Sequence, residues 1–88
     1  MEENAQVDLP LSARLSRREL EVLGMTSRGM TNSQVGRQLN LSLHAVKFHL
    51  ASIYRKLGVA NRTEAAVVYL QSQNGNGVHW PTASQPEN

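Results

Sequence analysis

Val46, Leu50, Ile53 and Leu57 recur at i, i+4, i+7 and i+11, which is one apolar stripe along a helix. Lys47, Arg55 and Lys56 lie off that stripe, and the stretch from Ser42 to Leu57 holds no acidic residue. A helix that is apolar on one side and basic on the other can rest on a small core while its back faces a polyanion. A short capped helix precedes it, so the pair has the outline of a helix-turn-helix that reads DNA.

Local signals define three further helices. Ser16-Arg17-Arg18-Glu19 has the form of a capping box, in which hydroxyl and carboxylate each satisfy a backbone donor. Leu15 can staple onto Leu20; Val22, Leu23 and Met25 extend the apolar surface until Gly29 ends the helix. Thr31-Asn32-Ser33-Gln34 is a second capping box, and its helix carries Val35 and Leu39 and stops near Asn40. Gly36 inside that helix costs about 1 kcal/mol relative to alanine but permits close approach of the third helix. Ser42 caps the third helix, and Gly58 closes it with Val59 as the following hydrophobe. Asn61 stands three residues before Glu64 and caps a fourth helix that lasts to about Gln73.

The chain has 88 residues and no cysteine, which allows one small domain with no disulfide frame and no thiolate metal site. The net charge of +2 conceals a segregation. Residues 14–73 hold all nine Lys/Arg against Glu19, Glu21 and Glu64, a net of +6, while residues 1–13 carry −3 and residues 74–88 carry −1. A basic middle between acidic ends fits a nucleic-acid module with tails. Residues 1–13 read as a flexible acidic leader and residues 74–88, with Asn-Gly-Asn-Gly, Pro81 and Pro86, as a flexible tail. Trp80 in that tail is either a loosely tethered ring or a docking anchor. No apolar run approaches membrane-spanning length and no signal peptide is recognisable, so a cytoplasmic protein is expected.

Several blocks of residues occur together in order. They are Leu15 to Glu19 with Glu21-Val22-Leu23; Gly29-Met30-Thr31-Asn32; Ser42 with Val46-Lys47-Phe48-His49; Ile53 to Val59; and Asn61-Arg62-Thr63-Glu64-Ala65. From Leu15 to Leu70 the chain resembles the LuxR/GerE-type helix-turn-helix domain, also known as the FixJ/NarL output domain. The resemblance implies an all-α four-helix bundle over residues 14–73 with flexible termini. It also implies a recognition helix at about 43–57 and a dimer helix at about 62–73. Members of this family typically bind DNA as dimers through the last helix and regulate bacterial transcription, so the resemblance implies a place at the bacterial nucleoid.

On a helical wheel with Val46 at zero, His44, Phe48, Ala51 and Arg55 fall between about 140° and 200°, and Lys47 near 100°. These five residues form the expected major-groove face. Lys47 stands where the family has its recognition lysine and can donate to guanine or to phosphate. Phe48 is unusual for the family: it either contacts thymine methyl groups or folds back onto its neighbours. His49, near 300°, flanks the core as a semi-buried histidine touching backbone or phosphate. His44 and His49 are five apart, which is the wrong spacing for a helical zinc pair. Thr31, Asn32, Ser33 and Gln34 at a helix start suit phosphate oxygens. Lys56, Arg37 and Arg62 are further phosphate candidates, with Arg17 and Arg18 at the margin.

Ala65 to Leu70 are six apolar residues in a row, more than one buried face can use. The surplus points to a homodimer through Val67, Val68, Ala66 and Gln71. The expected function is a sequence-specific DNA-binding regulator acting on double-stranded DNA as a homodimer, without metal or cofactor. The alternative is a protein-interaction module of the same fold that acts on another regulator or on RNA polymerase. An enzyme is not expected, because no nucleophile–base pair, phosphate loop or carboxylate pair is present.

Overall fold

The computed structural model describes residues 9–73. Most of the acidic leader and the whole tail, Trp80 included, lie outside the described residues. Five helices follow one another: α1 Leu11–Arg14, α2 Arg17–Ser27, α3 Asn32–Leu39, α4 Leu43–Leu57 and α5 Arg62–Gln73, with no strand among the described residues.

The last four helices begin where the caps place them. Ser16 Oγ accepts from the Glu19 N–H at 3.1 Å, and the Ser16 N–H donates to Glu19 Oε1 at 2.8 Å. Thr31 and Gln34 repeat this reciprocal pair at 3.1 and 2.8 Å. Ser42 Oγ accepts from Ala45 at 3.0 Å, and Asn61 Oδ1 from Glu64 at 2.9 Å. Each such cap contributes about 1 kcal/mol. At its far end α4 stops on Gly58, whose φ of 70° needs a residue without a Cβ penalty. The Val59 N–H then reaches back to the Tyr54 carbonyl at 3.0 Å, which closes the helix in a Schellman turn.

Helix α1 is absent from the sequence-based expectation, which carried a flexible leader through residue 13. Leu11 is instead buried beside Leu15 in the core, and Pro10 stands at the N-cap of α1 rather than in coil. Four residues are too few for a helical period to register.

The core is a single apolar layer. Helix α2 contributes Val22 and Leu23, α3 adds Val35, α4 adds Val46, Leu50 and Ile53, and α5 adds Ala65. Leu57, the last member of the expected stripe, is half-buried at the edge of this layer. Helix α2 is the platform: it makes its most extensive contact with α5 and also touches α3 and α4. Helices α3 and α4 pack on each other across a tight turn.

Gly36, on α3, lies against that turn. A Cβ at this position would lie 2.6 Å from the Leu41 carbonyl oxygen and 3.6 Å from Val46 Cγ2. The Leu41 N–H donates to the Gly36 carbonyl at 2.7 Å, so the turn folds tightly onto the glycine. The close approach is made chiefly by the turn backbone, and only secondarily by the third helix of the sequence reading, now α4.

Candidate nucleic-acid interface

Burying Val46, Leu50 and Ile53 fixes the opposite side of α4 toward solvent. His44, Lys47, Phe48, Ala51 and Arg55 are all exposed there. Phe48 is 68% exposed, the most exposed large hydrophobic side chain among the described residues. Its ring stands edge-on to His49, with centroids 6.2 Å apart and planes at 67°. It does not fold back to bury itself. His49 is half-buried on the flank of the core, where the wheel places it.

Lys56 belongs elsewhere. Its Nζ donates to both oxygens of Glu19, at 2.9 and 3.1 Å. The Ser52 hydroxyl donates to the same carboxylate at 2.8 Å. Glu19 therefore serves twice, as the capping residue of α2 and as the anchor for the C-terminal half of α4. Burial pushes its carboxyl pKa up, but the Ser16 N–H, Lys56 and Ser52 outweigh that and hold it at about 2, down from 4.5. Arg14 completes the clamp by donating to the Lys56 carbonyl at 3.0 Å, where the carbonyls of a helix end lack intrahelical donors. The sequence reading placed Lys56 on phosphate. On the wheel it falls near 280°, beside His49 on the flank facing α2, and that angle was the available signal.

Arg62 is likewise drawn inward. Its guanidinium donates to the Met30 carbonyl at 2.9 Å, to Asn32 Oδ1 at 2.6 Å and, more weakly, to the Thr26 carbonyl at 3.5 Å. It ties α5 to the α2–α3 turn, and it occupies one side of Asn32. Arg62→Ala is expected to lower stability by about 1–2 kcal/mol, read as a fall in melting temperature.

At the start of α3, Thr31 and Gln34 spend their side chains on each other. The amides of Asn32 and Ser33 remain without intrahelical acceptors, as the geometry of a helix start requires. Ser33 is exposed beside them.

Charge follows the same division. From Val22 to Thr63 the sequence contains no acidic residue. Within that span Lys56 and Arg62 are committed to internal contacts, whereas Arg28, Arg37, Lys47 and Arg55 are exposed and carry no ion pair among the described residues. On α2, Arg18 pairs with Glu21 at 3.3 Å on the surface, while Arg17, the other marginal candidate, has no ion pair among the described residues. No group of three His, Cys, Asp or Glu among the described residues comes together as a metal site.

Residues 13–69 match the family described as bacterial regulatory proteins, luxR family. The chain belongs to that family. The match bears out the LuxR/GerE-type resemblance and covers all of α2 to α4 and most of α5. Curated relatives include the transcriptional regulatory protein LiaR of Bacillus subtilis, 43% identical over 53 residues, 60% of this chain and 25% of LiaR. The monoamine regulon transcriptional regulator of Klebsiella aerogenes is 47% identical over 57 residues, 65% of this chain and 24% of that protein. The nitrate/nitrite response regulator protein NarP of Escherichia coli is 39% identical over 59 residues, 67% of this chain and 27% of NarP. The chain spans about a quarter of the length of these relatives. No solved structure matches it.

In this luxR-family domain the last helix divides its apolar residues. Tyr69 packs inward, its hydroxyl lying 3.0 Å from where a Cβ on Gly24 would be. Gln71, expected at a dimer face, is instead buried within the domain, and its Nε2 has no hydrogen-bond partner among the described residues. Ala66, Val67 and Val68 are half-buried, and Leu70 is 52% exposed. Leu70 is thus the apolar side chain that α5 leaves outside, and the sequence reading did not single it out. No helix among the described residues is long and apolar enough to cross a membrane.

Proposed function

We propose that this luxR-family domain binds duplex DNA and regulates transcription, with α4 lying in the major groove. The observation that carries this reading is the acid-free span from Val22 to Thr63, which places Lys47 and Arg55 on the exposed face of α4 with no ion pair among the described residues. Lys47 is assigned to a guanine edge or a phosphate, Arg55 to the backbone, and His44 to a base edge or phosphate. The free amides of Asn32 and Ser33, with the side chains of Thr31 and Gln34 around them, are assigned to phosphate at the start of α3. His49 supports the groove face from its flank. Lys56 acts indirectly, by holding α4 against α2.

A homodimer through Leu70, Val67, Ala66 and Val68 would present two copies of α4 to two half-sites related by a two-fold axis. The chain acts in this reading as a binding module on chromosomal DNA rather than as an enzyme.

The test is selection of duplexes from a random pool, followed by titration across salt. A DNA-binding domain of this kind gives a falling log–log salt dependence and a preferred site. Lys47→Ala is expected to reduce affinity for the selected site by about 10- to 100-fold, and Arg55→Ala to reduce the salt slope by about one. Binding that ignores both substitutions and salt would remove this reading.

A further inference from the structure

The centre of the outward face of α4 offers no hydrogen-bond donor. Phe48 is 68% exposed there, and Ala51, one turn onward, is exposed beside it. Lys47 and Arg55 flank this pair, and no acidic side chain occurs on the helix. A basic rim around an apolar centre suits a polyanion whose inner surface carries apolar groups. In the major groove only one base-edge group is apolar, the 5-methyl of thymine.

We propose that Phe48, with Ala51 leaving room beside its ring, is the specificity-determining residue for a thymine methyl in each half-site. This rests on the reading of α4 as the major-groove helix. The phenyl ring takes the methyl into van der Waals contact and sheds water from both. Lys47 and the phosphate contacts supply the affinity around it. The ring stands edge-on to His49, at 6.2 Å between centroids, and is already exposed, so the groove meets an exposed apolar surface.

The experiment uses the whole chain and a duplex selected by it from a random pool. Each thymine of the duplex is exchanged singly for deoxyuridine, which keeps the pairing and removes only the methyl. One thymine per half-site is expected to show about a three- to fivefold loss of affinity on exchange. Phe48→Ala is expected to bind the thymine and deoxyuridine duplexes equally, with an unchanged melting temperature because the ring is exposed. Two results overturn the proposal while leaving DNA binding intact. In one, no thymine responds to the exchange. In the other, the same penalty persists in Phe48→Ala. Failure to retain any duplex would remove the groove reading itself, and the proposal with it.

Discussion

Glu19→Ala is expected to lower the stability of the domain at neutral pH by about 2–3 kcal/mol, a fall on the order of 15 °C in melting temperature. Two routes lead to this figure. The first is local: the substitution removes half of a capping box, strands the Ser52 hydroxyl, and releases Lys56. The Lys56 side chain is 41% exposed, so water takes up part of its loss and the penalty stays below that of a fully buried pair. The second route is proton linkage. The folded Glu19 carboxyl titrates at about 2 rather than 4.5, so the folded state binds the proton less tightly than the unfolded chain. The stabilisation is fully present above pH 4.5 and is lost as pH falls from there toward 2. Glu19→Gln keeps an oxygen for the Ser16 N–H but removes the charge, so it is expected to cost less and to flatten the acid limb. Urea titrations of the three proteins between pH 2 and 7 check both statements; parallel acid limbs in wild type and Glu19→Gln would contradict the second.

Gly36→Val is expected to destabilise the domain by about 3 kcal/mol. Its Cβ would come within 2.6 Å of the Leu41 carbonyl oxygen, and its two γ-methyls would crowd the same turn. That oxygen belongs to backbone whose own N–H is bonded to Gly36 at 2.7 Å, so it cannot swing aside as a flexible side chain would. Gly36→Ala makes the same first contact but gains about 1 kcal/mol of helix propensity. Because the same Cβ meets the same fixed backbone oxygen, that gain offsets only part of the strain, and Gly36→Ala is expected to be destabilised by about 1–2 kcal/mol. A graded series, with alanine below glycine and valine below alanine in urea denaturation, is the expected result. Valine should also weaken DNA binding, because the turn sets the angle between α3 and α4.

Much of the fold was legible in the sequence because its determinants are local. Ser16, Thr31, Ser42 and Asn61 cap the helices that the spacing assigns to them, and the Val46–Ile53 stripe is buried as its period requires. The two misplaced cations have one physical origin, which is competition for a charged side chain by a distant partner. Lys56 and Arg62 look like free cations when only their own helices are considered. The first is taken by a carboxylate 37 residues away, and the second by carbonyls 32 and 36 residues away. Gln71 failed differently. It is the first polar residue after the apolar run Ala65–Leu70, yet its long side chain is buried. The outward residues of α4 were legible for the opposite reason: once a stripe is buried, rotation about the helix axis leaves the opposite face no choice.

The double use of Glu19 has a consequence for motion. In most helices the first turn frays readily, at little cost, and independently of the rest of the molecule. Here the side chain that holds the first turn of α2 also holds Ser52 and Lys56 on α4. Opening that turn would loosen both helices in one event. The amides of Ser16 and Glu19, which the capping box bonds, should therefore exchange with solvent deuterium in step with those of the C-terminal half of α4, as one cooperative unit.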